Sequence, residues 1–303
     1  MKRLIFTIAV AALLLPAMAQ EVEVASLSRL LEGVEGPAFF PVLDQQGKRL
    51  LFLGENGALK LHDFVDGVTA TVTQDYVAGH DACFGGDGKV YFVTQEVGED
   101  HLVYRTGHAY DMAQGKVANL TGPEHGPMRA VPATRGGALR APGHDYKSGG
   151  DIGSAAWAEG STLHVIVGGD ERVFSPVNSW AGYLWASLSP DGKRVAFFAA
   201  GKGIVIIDLR GQMLAMLGNY EMPCWYNNDY LVAMSNAGNI RISGSNIHLL
   251  KADGSFAQPL TDSKIAAIQP MVSGDKIVFT TKAGVVHVMT LSIQDAMKGG
   301  VEQ

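Results

Sequence analysis

The sequence predicts an all-β protein, a six-bladed β-propeller of four-stranded antiparallel blades closed by its N-terminal strand. Three observations carry that expectation. One turn-and-strand unit recurs six times, the copies stand roughly 40 residues apart except for a longer interval between the second and third, and a lone strand-like segment precedes the first copy.

In chain order, residues 1–19, MKRLIFTIAVAALLLPAMA, read as a secretory signal peptide. Lys2 and Arg3 come first, then an apolar run from Leu4 to Leu15, then Ala17-Met18-Ala19 as a small-x-small cleavage site. The run is shorter than the ~20 residues that span a bilayer. The expected mature chain, 20–303, is one propeller domain with no membrane span, exported to a periplasm or secreted. Lys and Arg number 24 against 30 Asp and Glu; without Lys2 and Arg3 the count is 22 against 30, a net charge of −8. That balance argues against nucleic acid, whose phosphates call for a basic surface.

The segment EVASLSRLL (23–31) is free to act as the outer strand of the last blade. The six copies follow as VLDQQGKRLLFL (42–53), CFGGDGKVYFVT (83–94), AWAEGSTLHVIV (156–167), SLSPDGKRVAFF (187–198), CWYNNDYLVAMS (224–235) and MVSGDKIVFTT (271–281). Each turn holds Gly, Asn or Asp where a tight hairpin needs positive φ, and each is followed by β-branched and aromatic residues. Second hairpins continue the fourth and fifth copies, GIVIIDLRGQMLAML (203–217) and NIHLLKADGSFAQPLT (246–261), giving the strand content of a propeller blade. After the sixth copy GVVHVMTLSI (284–293) is the last strand, so closure falls to 23–31. A ring closed in this way leaves no sheet edge open to aggregation.

SPDGKRVAFF with IIDLRG, and KADGSFAQPLT after PCWYNND, resemble the repeats of TolB-like six-bladed β-propellers. Those repeats run Pro-x-Trp-Ser-Pro-Asp-Gly-Lys, a strand, Asp-x-x-Gly and a Leu-Thr ending. The resemblance covers about residues 24–293, is good in copies four and five, fair in one, two and six, and poor in three. It extends to the propeller alone, because the N-terminal domain of TolB has no counterpart here. The motif is structural and implies no catalytic residue.

Aligning the turns puts Val42, Cys83, Ala156, Ser187, Cys224 and Met271 at one position of the innermost strands. Cys83 and Cys224 then lie on opposite blades, whereas a disulfide needs Cα atoms within about 7 Å. Two buried free thiols are expected. Residues just ahead of these positions ring one mouth of the channel: His80, Asp81, Asp151, Tyr183, Trp185, Glu221 and Gln269. Polar groups mixed with aromatics at a concave mouth form the candidate ligand-binding site.

Residues 122–150, GPEHGPMRAVPATRGGALRAPGHDYKSGG, form an insertion between copies two and three, rich in Gly and Pro and without sustained periodicity. A loop of this length in a compact domain is usually functional or disordered. It is expected to emerge at the mouth and bring Gly143-His144-Asp145 toward Gly79-His80-Asp81. Such a set, His80, Asp81, His144 and Asp145, is the alternative metal site, for a divalent ion. The remaining histidines, His62, His101, His108, His125, His164, His248 and His287, are explained by ordinary surface and strand positions.

No G-x-S-x-G elbow is present, nor a phosphate-binding glycine loop ahead of a helix. The leading expectation is therefore a monomeric, non-catalytic propeller that needs no cofactor and binds a protein, peptide or envelope ligand at its mouth. The alternative is a metal-assisted lyase or hydrolase acting on an exported polymer such as a glycan.

Overall fold

The computed structural model describes residues 22–31, 36–75, 78, 80–131, 137–141, 144–148, 153–235 and 244–293. The signal-peptide reading of 1–19 falls outside them. The fold is all-β, a propeller of six antiparallel blades; the only helical residues among those described are two 3-10 turns, Glu55–Gly57 and Ser263–Ile265. No helix among the described residues is long and apolar enough to cross a membrane.

Blade one is Phe39–Leu43, Arg49–Leu53, Leu59–Asp63 and Val68–Thr73. Blade four (Tyr183–Leu188, Arg194–Ala199, Gly203–Asp208, Met213–Met216) and blade five (Tyr220–Trp225, Tyr230–Ser235, Asn246–Lys251, Ala257–Pro259) follow the same order. Blade two begins with the short strand Cys83–Phe84 and continues through Lys89–Val97, Val103–Asp111 and Lys116–Asn119, with Glu124–His125 as an extra strand on Val103–Asp111.

Blade six shows the closure read from the sequence. Ala267–Ser273, Lys276–Thr281 and Val286–Ile293 come from the C-terminal end, and Val22–Arg29 pairs antiparallel with the last of them as its outer strand. Ser26 and Thr290 hydroxyls meet at 2.7 Å across this pair, and Gln258 Nε2 of blade five donates to Val22 O at 2.7 Å.

The core lies between blades. Second strands are almost wholly buried: Leu51 and Phe52 of blade one, Val90 and Phe92 of blade two, Val195 and Phe197 of blade four, Ile277 and Phe279 of blade six. At ~25 cal/mol per Å² of apolar surface, these interfaces are where the ring is held together. Outer strands such as Met213–Met216 stay largely exposed.

The structure corrects the sequence reading around blade three. Its paired strands are Ala155–Glu159, Thr162–Val167 and Asp170–Phe174. The turn at Gly160 is the second-to-third-strand turn, one strand later than the alignment assumed. Gly160 O accepts from Tyr183 N at 2.7 Å, just as Gly284 O, in the second-to-third-strand turn of blade six, accepts from Ala38 N at 2.8 Å. Ala155–Glu159 is buried like the other second strands, and Asp170–Phe174 is exposed like an outer strand.

The inner place beside blade three is held by Arg129–Val131, from the insertion. It pairs with Gly137–Ala141, which pairs with His144–Ser148. Met128 and Ala130 pack on Cys83, Tyr91 and Val93 of blade two, while Val131 packs on Ala155 and Trp157 of blade three. The insertion is thus largely a small sheet wedged between two blades. Its strands are three to five residues long and interrupted by Gly and charged residues, so they leave no periodic trace in the sequence.

Candidate functional site

A cavity of about 880 Å³ occupies the central channel. Val42, Cys83, Ala130, Ser187, Cys224 and Met271 line it, one from each inner strand. Five of these are positions that the turn alignment singled out. Ala156 also lines it, from the second strand of blade three, while Ala130 takes the inner place there.

Four inner strands share a local distortion at the mouth, the end where they begin. Pairing to the second strand shifts between Phe39 and Val42, Leu184 and Ser187, Glu221 and Cys224, and Ile268 and Met271. Inside each bulge one non-glycine residue is left-handed: Phe40 (φ 50°), Trp185 (φ 53°), Met222 (φ 52°) and Gln269 (φ 56°). A bulge re-aims a side chain, and all four residues line the cavity. Pro41, Pro223 and Pro270 follow three of them, and a proline, having no N–H to donate, suits the unpaired position of a bulge.

Of the sequence-predicted mouth residues, His80, Asp81, Trp185 and Gln269 line the cavity. Gln269 Oε1 accepts from Phe40 N at 2.8 Å and joins blade six to blade one. His80 meets the Phe40 ring edge-on, centroids 4.8 Å apart, and Trp185 tilts against Phe198 at 5.5 Å. Tyr183 does not reach the mouth. It lies before the bulge, is 2 % exposed, packs on Phe197 at 4.7 Å, and its hydroxyl bonds the Val177 carbonyl. Glu221 likewise precedes its bulge and pairs with Met234, so Met222 takes the lining position. Asp151 lies outside the described residues.

Sequence reasoning missed Phe40 and Met222. The signal was present as Phe40-Pro41-Val42, Met222-Pro223-Cys224 and Gln269-Pro270-Met271, the same left-handed, proline and lining triplet in three blades.

Of the alternative metal set, His80 and Asp81 lie at the cavity, and the side chains of His144 and Asp145 fall outside those described. His144 and Asp145 begin the third strand of the insertion sheet, pairing with Ala141 and Arg140. They lie two strands out from Ala130, whereas His80 and Asp81 are at the cavity. Among the described residues no three His, Cys, Asp or Glu side chains are grouped to hold a metal ion.

The charges of the lining are uneven. His80, Asp81 and Asp191 line the cavity, and among the described residues no lysine or arginine does. Asp191 belongs to the Ser-Pro-Asp-Gly turn at the end of the channel opposite the mouth. Ser189 Oγ donates to it at 2.7 Å and Lys193 N at 3.2 Å, and the Ser189 bond foremost holds its carboxyl below the usual range. Asp81 accepts no hydrogen bond among the described residues.

Cys83 and Cys224 are free. Burial pushes both thiols up to about 12, with the Asp81 charge adding to the effect at Cys83. Cys224 Sγ lies 3.5 Å from Pro270 O and 3.6 Å from Met271 Sδ. These groups serve as small apolar surface rather than as nucleophiles.

Comparison with known proteins shows the fold. No protein-family model and no curated protein matches the chain. Among solved structures it is similar to TolB from Acinetobacter baumannii, at 17 % identity and TM-score 0.52, covering 79 % of this chain and 58 % of that one. The chain therefore spans little more than half of that TolB. It is also similar to an oligogalacturonate lyase from Vibrio parahaemolyticus (13 % identity, TM-score 0.54, 89 % and 98 % covered). A third likeness is to virginiamycin B lyase from Staphylococcus aureus (12 % identity, TM-score 0.54, 89 % and 99 % covered). Identities this low carry the propeller architecture and no activity.

Proposed function

We propose that this chain is an exported TolB-like propeller that binds a protein or peptide ligand of the cell envelope at the mouth of its channel, without catalysis or cofactor. One observation carries the reading: a group of large apolar residues left open to solvent on the blade-four side of the mouth. Trp180 is 85 % exposed, Leu184 47 % and Trp185 37 %. Exposed apolar clusters of this kind mark interaction sites, and tryptophan is the residue most enriched among binding hot spots.

The cluster is held in place rather than loose. Ser179 Oγ shares its one proton between Gly182 O at 2.7 Å and Ala200 O at 3.1 Å, pinning the loop that carries Trp180 to the corner of blade four. The signal-like residues 1–19 support export.

The test is capture from envelope extract by the purified propeller, beside Trp180→Ala and Trp185→Ala variants of confirmed fold. A partner retained by the wild type and lost from both variants is expected; equal retention by all three contradicts the reading. Shortening of an exported glycan on incubation with the protein and a divalent metal would replace it with the lyase or hydrolase alternative.

A further inference from the structure

We infer that the mouth recognises an organic cation, the guanidinium or ammonium of an arginine- or lysine-bearing peptide segment, with its charge on Asp81 on the Phe40 side and the rest of the segment reaching across the channel to Trp185. The inference rests on the mouth being a binding site and adds the chemistry of what enters it.

The lining decides the sign of the charge. Asp191 is satisfied within its own turn, so Asp81 is the carboxylate left to meet a ligand at the mouth. Among the described residues of the lining no lysine or arginine competes with an incoming cation, and His80 is its one imidazole. A polyanion would meet a carboxylate and no lysine or arginine counter-charge, and would leave most of its own charges desolvated without partners.

The rings decide the body of the ligand. Phe40 and Trp185 both line the cavity, and an aromatic face attracts a guanidinium or ammonium through its quadrupole. Both residues are held left-handed in bulges, a costly conformation for bulky side chains and one that recurs at functional sites. Each ring also has a fixed neighbour, His80 for Phe40 and Phe198 for Trp185, so the rings are set before any ligand arrives.

The surround favours a peptide over a free small cation. Trp180 and Leu184, five and one residues ahead of Trp185 in the chain, are exposed large apolar residues too, more surface than a single-ring amine would cover.

The experiment is calorimetric titration of the propeller with acetyl-Arg-Phe-amide, its uncharged citrulline twin, benzyltrimethylammonium and trigalacturonate, repeated on Asp81→Asn and Trp185→Ala. Asp81→Asn should fold normally, because that carboxylate holds no hydrogen bond among the described residues; its melting temperature checks this. The arginine peptide should bind at least about 10-fold tighter than the citrulline twin, a difference of about 1.4 kcal/mol. Asp81→Asn should erase that difference, and Trp185→Ala should weaken both peptides.

Equal binding of the two peptides, with both weakened by Trp185→Ala, would sink the cation and leave the mouth as a binding site. Benzyltrimethylammonium binding as tightly as the arginine peptide would overturn the peptide as source. Binding of trigalacturonate alone, unaffected by Trp185→Ala, would overturn both the cation and the peptide-binding mouth.

Discussion

Trp185 combines a left-handed backbone with a large ring, and its neighbours show which of the two matters. A left-handed non-glycine residue costs about 1–2 kcal/mol. The ring is more than a third exposed and touches Phe198 at its edge, so packing returns little of that cost. Trp185→Ala should accordingly weaken partner binding while moving the melting temperature by less than about 3 °C, under 1 kcal/mol at this chain length. Phe197→Ala, from a fully buried position one strand away, should cost about 3–5 kcal/mol and serves as the contrast. Thermal melts of both variants check the pair; a large loss in Trp185→Ala would mean that the ring is a core residue.

The cysteines allow a second test at the same scale. Both thiols lie far above neutral pH through burial, so at pH 8 both are protonated and slow to react. Thiol titration in denaturant without reductant should find two free groups, and alkylation of the folded protein should run at least about 10-fold slower than of the unfolded chain. A finding of none in monomeric protein would contradict the ring, since the two cysteines stand on blades two and five.

Strand by strand, the legible parts of the sequence were those with a strong local signal. Ser189-Pro190-Asp191-Gly192 specified its turn because Asp191 accepts from Ser189 Oγ and Lys193 N whatever surrounds it. Blade three was misplaced by one strand because Gly160-Ser161 is as good a turn as any, and nothing local tells a second-to-third-strand turn from a first-to-second one. The Gly160 to Tyr183 bond, between blades, and the burial of Ala155–Glu159 settle it. Tyr183 and Glu221 were assigned to the mouth for a related reason: a bulge changes which residue faces the channel, and a bulge is a property of the pair of strands.

One recurring strand feature had no functional reading and has a physical one. His108, His164 and His287 stack on the residue opposite them in the second strand, on Phe92, Trp157 and Phe279 at 4.9, 4.9 and 5.3 Å, and His248 holds the same place opposite Ala233. Burial lowers His108, His248 and His287 below the ordinary histidine value, with the Arg29 charge second at His287. A lowered folded value means that the unfolded chain takes up the proton first. Stability is full above about pH 6.5 and is lost as pH falls through that value toward the lower folded ones. Denaturant unfolding should give a flat profile from pH 8 to 7 and a decline below about 6.5, shallower in His248→Gln. A profile flat to pH 5 would contradict the burial of these rings.

Glycine tests the turn geometry at the same level. Gly203 has φ +85°, and a methyl group there would overlap the Gly218 carbonyl; Gly67 has φ +66° and open space around it. Gly203→Ala should destabilise by well over the roughly 1 kcal/mol expected for Gly67→Ala, measured by denaturant midpoint.

Across the whole molecule, closure is what turns six weak repeats into one fold. Val22–Arg29 covers the edge of Val286–Ile293 and buries Val22 in the blade-five and blade-six core. Removing 20–29 should expose that strand edge, lower the melting temperature by about 10 °C or more and promote association, seen by size exclusion. The propeller was readable from six turns and a lone strand. The insertion sheet was not, although Gly-His-Asp-x-x-x-Gly-Gly-Asp occurs both at 79–87 and at 143–151. The first copy leads into the inner strand of blade two, while His144–Ser148 of the second pairs within the insertion.

The most direct measurement of the mouth as a binding surface is the change in amide hydrogen exchange when the propeller is saturated with its partner. Protection should concentrate at 80–84, 180–187, 199–202 and 222–225, around Asp81, Trp180, Trp185 and Met222. Unchanged exchange there, with protection instead along outer strands such as Met213–Met216 or at the Ser189–Gly192 end of the channel, would place the partner elsewhere and contradict the account.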